Sequence, residues 1–203
     1  MNCDHGIWIL NSSNAQIYNN TFINSTACIS RNARVAAGDH FGWHASTGPD
    51  VDKREGHIFV NNLLFGDSNF NRPLLYVWQP ALLCDKLTQS QLKTLDYNFY
   101  VRKSNQNENT LILWSPIKNE RCQIALKNLD ELKNLHPQFE NHSKYYNDYN
   151  FPLFKSLELG DYRILSSFPD AYSGMNLDVN LKKIIKRSKE SKNYIGAYPP
   201  IEK

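Results

Sequence analysis

Residues 17–24 read IYNNTFIN and residues 58–65 read IFVNNLLF. Both place an asparagine pair inside an apolar, β-prone run, where asparagine is disfavoured by propensity. Asn19-Asn20 and Asn61-Asn62 lie 42 positions apart, and the runs GIWI at Gly6 and ACIS at Ala27 lie 21 apart, half that step. LDYNFYV at residues 95–101 is a fainter echo. PLLYVW (73–78) and LILW (111–114) extend the series of short apolar strands between Asn, Ser and Gly turns. A recurring local misfit points to a repeated architecture that satisfies it.

A step of about 21 residues with several short strands fits one coil of a parallel β-helix. One coil cannot bury its inward face alone, whereas stacked coils share a continuous apolar column. Period two assigns Ile7, Ile9, Ile17, Phe22, Ile58, Val60 and Leu64 to that column. The asparagine pairs then mark corners, where short amide side chains bond the backbone and stack from coil to coil. An antiparallel sandwich with ordinary hairpins would need no 21-residue echo.

Bulk properties exclude several classes. The chain has 203 residues, long enough for a substantial core, with 41% apolar and 12% aromatic residues. A net charge of +3 is too small to indicate a nucleic-acid partner. No apolar run reaches the length of a membrane span. Cys3, Cys28, Cys84 and Cys122 match no zinc spacing; they read as small buried thiols, with disulfide pairing left open. There is no G-x-S-x-G, P-loop or dinucleotide-binding glycine pattern. The opening MNCDHGIWIL has neither a secretory leader nor a cap before the first coil. The expectation is a C-terminal part of a longer, exported protein.

The pattern GIWI-x-NSSN-x-x-IYNNTF resembles the coils of right-handed parallel β-helix proteins, the pectate-lyase-like superfamily. The later part resembles the tail of many bacterial members. Its marks are Asp96-Tyr97-Asn98, LDELKNL at 129–135, Asn141-His142-Ser143, Pro152-Leu153-Phe154, Gly160-Asp161-Tyr162-Arg163, Ser167-Phe168-Pro169 and Ile195-Gly196-Ala197-Tyr198. SFP stands where the compact SP is usual, and a lysine-rich stretch at 182–192 precedes the last motif. The resemblance implies an all-β, right-handed parallel β-helix (solenoid) with a C-terminal capping tail containing short helices. Coils would occupy 1–125, with an insertion at 32–57, and the tail 126–203 of the same domain. Residues 129–135 and 177–187 show helical spacing. In the second, Leu177, Leu181, Ile184 and Ile185 share a face opposite lysines including Lys182, Lys183 and Lys186.

The insertion is the richest polar stretch: NARVAAGDHFGWHASTGPDVDKREGHIF, residues 32–59. Loops of this length without periodicity tend to be functional. His40 and His44 have a two-histidine zinc spacing, but Gly42 between them and the following TGP turn break the helix that spacing requires. Asp50, Asp52 and Glu55 offer hard oxygens for calcium, though without EF-hand spacing. The superfamily often cleaves uronic-acid polymers by β-elimination, which needs a base and a cation to neutralise the carboxylate. Lys53 and Arg54 offer that pair, with His44 or His57 able to replace either. Local ion pairing of Lys53 and Arg54 with Asp50, Asp52 or Glu55 is the plainer reading. A glycoside hydrolase would instead use two carboxyl groups, Asp50 and Asp52 with Asp39 or Glu55. Trp43, with Asp39 and His40 beside it, is the candidate sugar contact; Tyr76, Trp78 and Trp114 are further aromatic candidates. The expected function is recognition of an extracellular polysaccharide, with lyase-type cleavage as the enzymatic form. The alternatives are a non-catalytic carbohydrate-binding or surface structural module, and a glycoside hydrolase. A monomer that is secreted or held at the cell surface is expected.

Overall fold

The computed structural model describes residues 1–32, 54–103, 109–185 and 192–202. The fold is all-β, mostly short strands with few helices. The chain first forms β1 (His5–Leu10), β2 (Gln16–Tyr18) and β3 (Thr21–Ile23). It continues with β4 (Thr26–Ser30), β5 (His57–Val60) and β6 (Leu63–Gly66), then β7 (Leu75–Trp78), β8 (Leu92–Asp96) and β9 (Phe99–Arg102). β10 (Ile112–Trp114), β11 (Ile124–Leu126) and β12 (Lys144–Tyr146) follow. These strands make three sheets, in the orders β1-β4-β7-β10-β11, β2-β5-β8 and β3-β6-β9-β12. Every pairing in them is parallel except β10 with β11. The chain thus visits the three sheets in turn, each strand from β1 to β7 pairing with the strand three later.

Register carries the apolar residues into vertical rows. Ile7, Ala27, Leu75 and Ile112 align across the first sheet, with Ile9, Ile29 and Val77 beside them. Ile17, Phe59 and Leu95 align in the second sheet, and Phe22, Leu64, Tyr100 and Tyr145 in the third. All belong to, or pack against, one central cluster. The period-two expectation is corrected in β5. Phe59 points to the centre, whereas Ile58 aligns with Gln16 and Thr94, and Val60 with Tyr18 and Asp96. Three consecutive apolar residues in HIFV leave the phase of alternation undetermined by the sequence.

The corners between second- and third-sheet strands each use a left-handed residue: Asn19 (φ 53°), Asn61 (φ 60°) and Tyr97 (φ 56°). Asparagine tolerates this region better than most residues. The next residue is always asparagine. Asn20 donates its N–H and Nδ2 to Asn62 Oδ1, at 2.9 and 3.0 Å. Asn62 donates its own pair to Asn98 Oδ1, both at 3.1 Å. The misfit asparagines are satisfied by one another.

Past β10, the column is closed by β11 and by α1 (Leu129–Leu135). Leu126, Leu129, Leu132 and Phe139 pack into the central cluster. Trp114 is fully buried there, its Nε1 donating to His136 Nε2 at 2.9 Å. The rest of the tail covers a side rather than an end. The antiparallel pair β13 (Phe154–Ser156) and β14 (Asp161–Ile164), with Phe168, Ala171 and Ile195, packs on Ile23, Leu63, Phe65, Phe99 and Val101. These are the outward residues of the third sheet. Gly196 (φ 76°) comes so close that a Cβ there would lie 2.7 Å from Thr21 Oγ1.

The second expected helix forms only as α2 (Val179–Ile184). Its apolar face is not the buried one: Ile184 is 76% exposed, whereas Lys182 is buried with Nζ 2.5 Å from Asn176 Oδ1. A helix of this length is too short to present a continuous stripe, and the lysine stem packs in its place. Lys186, in the expected lysine face, lies outside the described residues. Cys84 and Cys122 form a disulfide with Cα atoms 5.6 Å apart, Cys28 is a buried free thiol and Cys3 an exposed one.

Candidate functional site

The flanks of the insertion meet at one residue. Asn11, just beyond β1, donates Nδ2 to Asn32 Oδ1 at 2.6 Å and accepts the Asn32 N–H at 2.8 Å. Arg54 Nη1 donates to the Asn11 carbonyl at 2.7 Å. Asn32 and Arg54 are therefore both held at Asn11, beside the edge strand of the first sheet. Asp39, His40, Trp43, His44, Asp50, Asp52 and Lys53, seven of the expected site residues, lie outside the described residues.

The remaining three sit at the base of the insertion. The Glu55 carboxylate is 4.0 Å from Arg31 Nη1, and its carbonyl accepts the Asn14 N–H at 2.9 Å. His57 is fully buried, with Nδ1 accepting the Ala15 N–H at 3.1 Å. An accepting Nδ1 requires the proton on Nε2 in the neutral ring. Burial lowers the imidazole pKa, and Arg31 adds to the effect. His57 and Arg54 are thus both engaged by the loop at residues 11–15, and the imidazole faces no solvent. Among the described residues no three His, Cys, Asp or Glu side chains come together as a metal site. No helix among them is long and apolar enough to cross a membrane.

The outward face of the first sheet, beside the insertion base, carries an aromatic surface. Trp8, Cys28, Tyr76 and Leu113 align across β1, β4, β7 and β10, and Leu10, Ser30 and Trp78 form the neighbouring row. Trp8 is 58% exposed. Its orientation is fixed twice: Nε1 donates to Ser30 Oγ at 2.8 Å, and the indole stacks on His5 at 4.9 Å. Ser30 is held in turn by donating to the Ile9 carbonyl at 3.2 Å. Cys28 and Ser30 are small and buried between the larger rings, and Tyr76 and Trp78 are half-buried. Burial pushes the Cys28 thiol up to about 11, so it is not a nucleophile at neutral pH. Strand spacing puts Trp8 and Tyr76, two strands apart, on the order of 10 Å from each other. Of the aromatic candidates from the sequence, Tyr76 and Trp78 belong to this surface. Trp114 does not, because its ring is core.

A concavity of about 360 Å³ on one flank is polar and edged by the Asp4–Arg72 ion pair. A larger one of about 520 Å³ lies on the tail and went unrecognised in the sequence. Tyr146, Tyr149, Phe151, Pro152, Leu165 and Pro169 line it, with Phe151 75% exposed. Tyr149 meets both Tyr146 and Phe151 edge-on at 5.7 Å. The Tyr146 hydroxyl donates to Asp170, which also accepts from Lys144 Nζ at 2.8 Å. The sequence signal was the aromatic density of KYYNDYNFP at 144–152, which has no helical or strand period.

Comparison with known proteins gives no match: no protein family, curated protein or solved structure aligns with this chain.

Proposed function

We propose that this protein is a non-catalytic carbohydrate-recognition module built on a right-handed parallel β-helix, and that it binds polysaccharide on the outward face of its first sheet. The three-sheet succession and the asparagine corners support that architecture, and right-handed crossovers are the rule for parallel strands. The single observation that carries the binding reading is Trp8. Its exposed indole is pre-oriented by Ser30 and His5 and lies in line with Tyr76. Sugar rings present apolar C–H faces with polar rims, and a fixed aromatic plate flanked by hydrogen-bonding groups suits them. The Cys84–Cys122 disulfide supports a secreted or cell-surface location, since such bonds persist in oxidising compartments.

Binding is preferred to elimination because Arg54 is bonded to the Asn11 carbonyl and His57 is fully buried. The test is affinity electrophoresis of the full chain in soluble uronic-acid and neutral polysaccharides, with absorbance followed for unsaturated sugar ends. Retardation by at least one polymer is expected. Trp8→Ala should weaken it about tenfold or more, the scale of losing one buried aromatic contact. Phe151→Ala, on the tail, should bind as the parent does. A parent that no polymer retards, or a Trp8→Ala variant that binds equally well, overturns the proposal. Unsaturated product would replace binding alone with elimination.

A further inference from the structure

The asparagine ladder ends on an acid. Asn98 donates its N–H to Ser143 Oγ at 2.8 Å and its Nδ2 to the Glu140 carboxyl at 3.3 Å. Glu140 is fully buried and also receives the Tyr100 hydroxyl at 2.5 Å and the Ser143 hydroxyl in a shorter contact. The neighbouring charged group is Asp96, also an acid, which lies 3.5 Å from Ser143 Oγ. Asp96 in turn holds the exposed His142 ring, Nδ1 to Oδ2 at 2.7 Å, with the imidazole stacked on Tyr97 at 4.5 Å. Lys144, the nearest lysine along the chain, is turned to Asp170 instead. No cation among the described residues is paired with Glu140. A polar path therefore runs from a solvent-facing imidazole through Asp96 and Ser143 to a carboxyl that seals the ladder.

We propose that Glu140 is a pH-responsive latch: neutral, it closes the end of the asparagine ladder and holds the 140–146 segment against β9, and on ionisation that segment loosens. A buried carboxylate with a second acid beside it and no counter-charge is unfavourable. Burial raises the Glu140 pKa from 4.5 to about 7, against the lowering effect of the Ser143, Tyr100 and Asn98 hydrogen bonds. Because the folded value lies above the unfolded one, the closed latch is favoured by protonation. That contribution is complete below pH 4.5 and is lost as pH rises through about 7. Two docking elements depend on the segment. The Glu140 N–H donates to the Leu95 carbonyl at 2.8 Å, and the Lys144 N–H to the Asn98 carbonyl at 3.2 Å.

Hydrogen exchange of the full chain, with protection corrected for intrinsic rates, reads the latch at the Glu140 and Lys144 amides. Between pH 6 and 8, protection should fall about tenfold in the parent, the proton linkage of a group titrating near neutrality. It should stay level in Glu140→Gln. A Glu140→Gln variant that keeps the parent's slope, or a parent with no slope, overturns the proposal. Carbon NMR of the Glu140 carboxyl in the parent decides independently of whether that variant folds. A midpoint near 7 supports the latch, and one in the ordinary carboxylate range defeats it.

Discussion

At the scale of single residues, Asn62 bears the most. Its amide has two donors and two acceptor sites, and all four are used. Nδ2 reaches the Ile17 carbonyl and Asn98 Oδ1, both at 3.1 Å, and Oδ1 accepts the N–H and Nδ2 of Asn20. Leucine has nearly the same shape and none of these groups. Asn62→Leu leaves partners orphaned in a fully buried site and should cost about 2–3 kcal/mol, since one unsatisfied buried group costs roughly 1–3. Asn20→Leu sits at the half-buried end of the ladder and should cost about 1 kcal/mol. Urea unfolding orders the two, and equal midpoints for both variants and the parent would remove the ladder's energetic role. The spacing of these residues was legible because a left-handed corner followed by a stacking amide leaves a two-letter mark. The third corner was fainter because Tyr97 takes the left-handed position there, so only Asn98 of the pair survives. His57 was legible as polar but not as buried; the Ala15 N–H that claims its ring lies 42 positions away.

Single elements show why helical spacing succeeded once and failed once. In α1 the pattern and the ends agree. The Glu131 N–H donates to Asn128 Oδ1 at 2.9 Å, and the Glu131 carboxylate reaches back to the Lys127 N–H at 2.7 Å. Asn128 thus caps the helix while Glu131 braces the residue before the cap, and together they aim Leu129 and Leu132 at the core. Asn128→Ala should cost about 1 kcal/mol, the usual loss of an N-cap. Thermal melts and protection of the Glu131 amide check it. An unchanged melt would mean the tertiary contacts of the two leucines position the helix without its cap. In α2, Asp178 caps the start, its carboxylate accepting the Asn180 N–H at 2.8 Å. Lys182 takes the buried position in α2, so periodicity alone misassigned Ile184. The tail concavity was illegible for another reason. Its walls come from β12, the loop after it and the turn at 165–169, and no local pattern announces that they converge.

For the whole molecule, the third sheet is the wall between two apolar bodies. Phe22, Leu64 and Tyr100 point to the central column, while Ile23, Leu63, Phe65, Phe99 and Val101 point outward to the tail. Strands buried on both faces read as continuous apolar runs, and LLF and FYV do so; the sequence says they are covered but not by what. The covering segment is registered by the corner asparagines themselves. Asn61 donates Nδ2 to the Met175 carbonyl at 3.0 Å and accepts the Met175 N–H at 2.7 Å, and Asn19 Nδ2 donates to the Tyr194 carbonyl at 2.6 Å. Phe168 anchors the apolar contact, packed edge-on against Phe99, Tyr146 and Tyr149. Phe168→Ala should cost about 3–5 kcal/mol, the range for deleting a fully buried phenylalanine. The loss should be local, because Phe168 touches the outer body alone. Hydrogen exchange should then show the Ile195 and Gly196 amides losing protection well before Leu74 and Leu111, whose N–H groups donate within the central stack. If all four lose protection together, the sheet transmits the defect and the two bodies unfold as one unit.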